Sequence, residues 1–505
     1  MSTDTTAPVL IVGGGPTGIC AALLLAVHGV ASVVLERWPD IYPQPRAVHL
    51  DDEVYRILGK VGVAEDFAAI SRPARGLQVI DAGQQVLARF ERNPDSKTNG
   101  YPQANLFDQP ELERILRNRV ADFPAVTLRS GVEVVGLTPA TTPDGPVSLA
   151  VRETGTGTIT QLRGRYVLGC DGANSLVRRA IGSRMQDLGF EQRWLVVDVD
   201  TDTELGHWDG VHQIADRHRA GTYMRIGRTR HRWEFRLLPG EDSSQFATIE
   251  ALGPLISPWT RGVTAGDLRL VRCADYTFRA QIADRWRCGP VFLLGDAAHL
   301  TPPFVGQGMG AGLRDAYNLA WKLANVIHRH GLTDADLDSY QRERKPHARA
   351  MIRNAILIGF AMTGGGLAGD IFRRLALPRV KHIPGFGRRV VTSETPRLRP
   401  STLIHARRIP VGLPGRLCPN ALLDSGQRLD QAGTGYVVVT TARPDTADER
   451  YWAAFPATVL QVGTDSDLGR WLARGRATAA LVRPDGTVRA AAHRLGRLRE
   501  IGDRA

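Results

Sequence analysis

Val9-Leu-Ile-Val12, then Gly13-Gly-Gly15-Pro-Thr-Gly18, then Ile19-Cys-Ala-Ala-Leu-Leu-Leu-Ala-Val-His28 follow one another near the start of the chain. The first run is apolar and of strand length. The second fits G-x-G-x-x-G with Gly13, Gly15 and Gly18, and the third reads as a helix that Gly29 ends. Ala31-Ser-Val-Val-Leu35 is a second strand, and Glu36 closes it. Strand, glycines, helix, strand and acid in register predict a dinucleotide-binding βαβ unit. Gly13 permits the tight turn, Gly15 clears the approach of a pyrophosphate, and Gly18 lets helix and sheet pack closely. Helix-start amides receive the phosphates. Glu36 can accept both ribose hydroxyls of an adenosine and would repel a 2′-phosphate. FAD or NAD therefore fits better than NADP.

Working outward, a second glycine-bearing stretch stands at Gly289-Pro-Val-Phe-Leu-Leu-Gly295-Asp-Ala-Ala-His299. Val291 to Leu294 reads as a strand delivering Asp296 to its end, where a carboxylate can hold a ribityl hydroxyl of a flavin. Pro302-Pro303 and Gly306-Gln-Gly308-Met-Gly310 precede a long helix beginning at Ala311. Bare amides at that helix start suit an oxygen or a negatively charged isoalloxazine edge.

These segments, with Gly169-Cys-Asp-Gly-Ala-Asn-Ser-Leu-Val-Arg178 between them, resemble the class A flavoprotein aromatic hydroxylases. Gly295 to Gly310 is similar to that family's second FAD motif, and Asp171 lies in what resembles its DG motif. Val48-His-Leu-Asp-Asp-Glu53 looks most like the branch acting on 3-(3-hydroxyphenyl)propionate and 3-hydroxycinnamate, with polyketide aromatic hydroxylases as near relatives. The resemblance implies bound FAD, NADH or NADPH as donor, O2, and a phenolic substrate hydroxylated ortho to its hydroxyl through a flavin C4a-hydroperoxide. It implies cofactor contacts from Gly13, Gly15, Gly18, Glu36, Arg46, Gln109, Asp171, Asp296, Gly306, Gly308 and Met309. Arg46 is expected to bear on cofactor movement. Pro302, Gly306 and Gly308 are expected near the reacting edge, and His299 to support its loop rather than act as a base. No metal site and no Ser–His–Asp triad are expected. An FAD-dependent epoxidase, or an oxidoreductase without ring hydroxylation, stays open.

The implied fold is an α/β FAD-binding Rossmann-like domain, an antiparallel-sheet substrate domain and a C-terminal thioredoxin-like domain. The boundaries are 1–181 and 283–395 for the two parts of the cofactor domain, 182–282 for the substrate domain and 396–505 for the tail. Val126 to Arg178 reads as strands returning to the cofactor sheet. Trp194–Asp200, Tyr223–Gly227, His231–Leu237 and Leu268–Phe278 read as strands of the substrate sheet. Arg225, Arg232 and Tyr276 are candidates for its pocket, whereas Trp233 and Phe235 read as core. Tyr340 to Met351 reads as a solvated charged helix. In the tail, Ala479 to Val488 reads as a hairpin turning at Arg483–Gly486. The tail is expected to be a packing or oligomer module, a homodimer being one outcome.

Composition excludes other classes. The 505 residues are 43% hydrophobic and 23% charged, which excludes chain-wide disorder. The five cysteines include no CxxC pair, so neither a disulfide scaffold nor a disulfide reductase is expected, and a cytoplasmic location is the easier reading. A net charge of +12 suits anionic cofactors as well as nucleic acid, but no nucleic-acid module is present. The apolar stretch Ala355–Gly369 is too short to span a membrane and reads as a helix end and loop, so no integral membrane association is expected.

Overall fold

Val9–Val12 is buried along its whole length, as a strand flanked on both sides and covered on both faces must be. In the computed structural model, which describes residues 8–42, 47–139, 145–216, 218–363, 395–405, 412–455 and 457–502, it lies inside a six-stranded sheet. The order across that sheet is Arg287–Cys288, Val291–Leu293, Tyr166–Gly169, Val9–Val12, Ser32–Glu36, Val126–Ser130. The last five run parallel. Chain segments nearly 300 residues apart thus meet as near neighbours.

Two helices cover this sheet at its glycine-bearing end. The opening helix, Pro16–Val27, starts with Pro in its first turn, where no amide bond is lost. The central helix, Gly308–Ile327, packs beside it. Their approach is close: a Cβ on Gly312 would lie 2.3 Å from Thr17 Oγ1 and 3.1 Å from Gly295 Cα. The central helix is buried nearly all round, because the long helix Asp338–Thr363 and the tail close its other sides.

Of the strands expected between 126 and 178, only Val126–Ser130 and Tyr166–Gly169 join the cofactor sheet. Val132–Thr138, Val147–Glu153 and Ile159–Gly164 form a separate antiparallel sheet. The middle strand alternates buried and partly exposed positions, the pattern of a sheet with one solvated face.

The second large sheet has eight strands, in the order His299–Leu300, Arg269–Ala283, Met185–Asp200, Arg230–Arg236, Gly221–Ile226, Val211–Ile214, Gly76–Ile80, Val86–Glu91. The expected boundaries need correction here. Residues 76–91 and 299–300 belong to this sheet although they lie outside 182–282. The physical reason is edge pairing: Gly76–Ile80 lines up parallel with Val211–Ile214 and so covers an otherwise open edge. The helix Ile249–Ile256 and Trp259 cover the outer face, over Leu195, Val197, Val199, Tyr223, Trp233 and Phe235.

The tail carries a four-stranded sheet ordered Ala457–Gln461, Tyr436–Thr440, Ala479–Val482, Val488–Ala492, parallel in the first pair and antiparallel thereafter. Arg483 N donates to Thr487 O in the expected hairpin turn. The turn sits on the cofactor domain: Tyr317 Oη donates to Pro484 O, and Arg483 donates to both oxygens of Glu343 at 2.9 and 3.0 Å. The solvated reading of Tyr340–Met351 is therefore corrected. Glu343 and Arg344 are buried, because Arg483 and Lys322 meet the first and Asp315 the second. Among the described residues, no helix is long and apolar enough to cross a membrane.

Candidate active site

The carboxyl ends of four adjacent parallel strands deliver Gly295, Cys170, Gly13 and Glu36 to one edge of the cofactor sheet. Glu36 and the Gly295–Ala297 turn are three strand spacings apart, about 14 Å at roughly 4.8 Å each. That edge is where ligands of open α/β sheets bind.

The three fingerprint glycines have different surroundings. Gly13 has φ +103°, a left-handed backbone, and a Cβ there would lie 2.4 Å from Cys170 O. A Cβ on Gly18 would lie 1.9 Å from Gly13 O, so this position is closed by the protein itself. A Cβ on Gly15 would meet nothing within 4 Å. Gly15 thus faces open space at the start of the opening helix, where pyrophosphate would approach. Glu36 is buried, and its carboxylate accepts from Gly14 N at 2.6 Å and Trp38 N at 3.0 Å. Two fixed amides orient it, and lone pairs remain for ribose hydroxyls. The set fits an FAD adenosine and pyrophosphate.

Asp171 caps the helix Leu176–Ala180: its oxygens accept from Ser175 Oγ at 2.5 Å and Val177 N at 3.0 Å. Its carboxylate therefore shapes the Cys170–Ser175 loop, which lies against Gly13. Arg178 ties this loop to the next, donating to Ala173 O and Ala297 O. Asp296 lies in the short turn Gly295–Ala297, half-buried at the strand end. The turn is held from the central helix, because Asp315 accepts from Gly295 N and pairs with His299 at 2.7 Å. His299 is wholly buried, so it braces the loop.

Pro302 precedes the turn Pro303–Val305, and Gly306 ends it with φ +59°. His49 Nδ1 lies 3.5 Å from Gly306 O, and burial lowers the imidazole to about 4, which keeps it neutral. Gln307 donates to Asp51, which also takes Arg314. A Cβ on Gly308 would meet nothing within 4 Å, a second open position at a helix start. Met309 follows it, half-buried against the core. Gln109 Oε1 accepts from Ala47 N at 2.6 Å, and its amide donates to Glu113, so it fixes the chain leading into the strand His49–Asp51. The expectation for Arg46 lies outside the described residues.

Opposite these loops stands the inner face of the eight-stranded sheet. Pairing across the strands puts Trp194, Asp198, Asp200, Met224, Ile226, Arg230, Arg232, Arg272 and Tyr276 on that face. Met224 and Ile226 pack against Val48 and Leu106. Trp194 meets Phe304, whose ring centroid is 5.8 Å away, and Tyr276 meets Phe278 at 4.8 Å. Tyr276 therefore stands on the aromatic wall that reaches the Pro302–Gly306 turn. Arg225 does not join it. It pairs with His231, on the outer face, and binds Glu204 and Arg228 O. Strand alternation is the reason: odd and even positions face opposite sides. Arg232 is on the inner face but is buried and held by both oxygens of Asp198, at 2.6 and 2.8 Å. Its charge is met within the protein by that pair. A cavity of about 330 Å³ lined by Arg89, Trp208, His212 and Arg261 opens on the outer side.

Sequence reasoning missed His49, Arg178, Asp108 and Arg230. His49 and Arg178 lay inside quoted motifs, so their position was a usable signal. Asp108 and Arg230 meet across 122 residues, Arg230 Nη1 donating to Asp108 Oδ2 at 2.7 Å, and no local pattern announces such a pair.

An oxidoreductase scaffold built on bound dinucleotide-type flavin is what this fold and site define. The chain belongs to the FAD binding domain family, which it matches over residues 6–355. It is 34% identical to the probable NADH-specific resorcinol 4-hydroxylase of Rhodococcus jostii (strain RHA1), covering 95% of this chain and 91% of that protein. It is 32% identical to a 3-(3-hydroxy-phenyl)propionate/3-hydroxycinnamic acid hydroxylase of Burkholderia cenocepacia (strain HI2424), covering 94% and 92%. Aklavinone-11 hydroxylase, solved with FAD and aklavinone, shares the fold with a TM-score of 0.81 at 24% identity, covering 100% of this chain and 99% of that one.

Proposed function

We infer that this chain is an FAD-dependent aromatic monooxygenase that uses a nicotinamide donor and O2 to hydroxylate a phenolic ring. One observation carries the reading: three distant glycine-bearing loops converge on one sheet edge, facing a sheet surface that mixes aromatic side chains with buried acids and arginines. The name of one relative, the probable NADH-specific resorcinol 4-hydroxylase, supports NADH as donor. Bound FAD, once reduced, supplies the oxygen activation. The chain's own residues do the rest. Gly15 and the helix start receive pyrophosphate, Glu36 the adenosine ribose, and Asp296 the ribityl chain. Gly306 and Gly308 leave bare amides toward the ring system, with Pro302 and Met309 beside them. Trp194 and Phe304 wall the substrate side and keep water out, with Tyr276 at the exposed margin, which prevents wasteful loss of activated oxygen.

The strand order of the tail supports a thioredoxin-like reading, and Cys418 within it is buried with its thiol pushed up to about 12, which supports packing rather than disulfide exchange. A cytoplasmic location is supported by the buried free thiols Cys20 and Cys418.

The experiment is direct. Purified protein should show a flavin spectrum and oxidise NADH faster when a phenol is added. The product should be heavier by one oxygen atom. NADH oxidation that yields only hydrogen peroxide with every phenol tried would favour an oxidoreductase without ring hydroxylation.

A further inference from the structure

We propose that Asp108 is the group that receives the ring hydroxyl, and that the site therefore takes an uncharged phenol, such as a benzenediol, rather than a phenol bearing a carboxylate. This rests on the hydroxylase reading above and names the substrate class of that same site.

The geometry begins with an unused cap. Asp108 stands at the N-cap of the helix Gln109–Val120, yet its side chain caps no amide there. An aspartate in that position ordinarily accepts from the second or third helical amide. Here the carboxylate turns instead toward the substrate sheet, where Oδ2 accepts from Arg230 Nη1 at 2.7 Å. Oδ1 is buried and has no hydrogen-bond partner among the described residues, and Asp108 as a whole is 8% exposed. A buried carboxylate oxygen left without a partner is destabilising. A ligand O–H relieves that cost.

Its surroundings place it at the reaction site. Asp108 follows Leu106, which pairs with His49, and His49 touches the Gly306 turn. Leu106 also packs with Val48, Met224 and Ile226, and Ile226 pairs with Arg230. Asp108 therefore borders the apolar junction between the cofactor loops and the inner sheet face. A hydroxyl donating to Oδ1 puts electron density into its ring while the O–H proton stays shared between the two oxygens.

The charge pattern disfavours a carboxylate there. Arg232 is taken by Asp198 through two hydrogen bonds, and Arg230 by Asp200 and Asp108 together. Arg272 interacts with buried Glu234. A ligand carboxylate beside Asp108 would meet acids whose arginine partners are already engaged.

Burial pushes the Asp108 carboxyl up to about 6. Arg230 and Arg232 pull it down, whereas Glu111 and Asp198 raise it. Asp200 faces the same arginine from the neighbouring strand. The acceptor form is thus present at neutral pH and lost below about pH 6.

The test compares wild-type holoenzyme with Asp108→Asn, using resorcinol and 3-(3-hydroxyphenyl)propionate, between pH 5 and 8. Wild type should turn over resorcinol with the higher kcat/KM, and that value should fall as pH drops through about 6. Asp108→Asn should keep its flavin spectrum, lose roughly 10²-fold in kcat/KM, and show a flat profile across that range. An unchanged kcat/KM with the wild-type pH profile in Asp108→Asn overturns the assignment. Wild-type preference for the carboxylated phenol overturns the substrate class, and needs no variant that folds. Both outcomes leave hydroxylation intact. Failure of the underlying reading looks different: wild type without flavin, or with flavin and no hydroxylated product from either compound, removes the proposal along with it.

Discussion

At Gly15 and Gly18 the same residue type meets opposite surroundings, and the two positions should fail in opposite ways. Gly15→Val adds atoms to space that no protein atom fills, so the variant should fold and lose its flavin. The check is flavin absorbance per chain beside an unchanged far-UV circular dichroism spectrum. Gly18→Ala puts a methyl 1.9 Å from Gly13 O. Overpacking of this kind typically costs about 1–3 kcal/mol, and backbone cannot swing aside as a side chain can. Its melting temperature should fall before cofactor binding is even considered. The close packing at Gly18 was legible in the sequence, because a G-x-G-x-x-G between strand and helix has few geometries. The roles of Arg225 and Arg232 were not. Period-two alternation says that neighbours face opposite ways, but which face looks inward is set by what packs on each side.

The central helix and the long helix share one buried charge cluster: Lys322, Glu343 and Arg483, with Asn318 and Asp485. Burial alone would push the Glu343 carboxyl up. Arg483 and Lys322 overcome this and hold it at about 2, against an ordinary value of 4.5. A carboxyl lowered on folding contributes stability above its unfolded value and loses it as pH falls toward its folded one. Stability should therefore drop between about pH 4.5 and pH 2, and Glu343→Gln should blunt that slope in denaturant titrations. Lys322, lowered by burial to about 8, acts in a separate alkaline window. Removing one partner of a buried pair is severe, so Arg483→Ala should cost roughly 3–5 kcal/mol. The sequence displayed this segment as a run of Arg, Lys and Glu, the usual look of a solvated helix. Its burial depends on a tail more than 130 residues later, which no local reading contains.

Over the whole molecule, the two glycine-bearing motifs around Gly13 and Gly295 pointed to one shared edge, because parallel strands linked by long crossovers gather there. They did not predict that residues 76–91 complete the substrate sheet. That pairing is decided by which open edge a short hairpin can cover. Nor did they show how firmly the tail is seated. Trp321, wholly buried, belongs to the central helix yet packs among Leu403, Tyr436, Val438 and Leu481 of the tail. Trp321→Ala should lower stability by roughly 3–5 kcal/mol, and calorimetry should show tail and cofactor domain melting together in the wild type and separating in the variant.

The hairpin turn at Pro484 rests on Tyr317, nine residues along the helix that starts at Gly308. A protease cut or a premature stop far down the chain would therefore loosen the seat of the chromophore. Fading of the yellow colour can then serve as a gauge of whether the last hundred residues are intact.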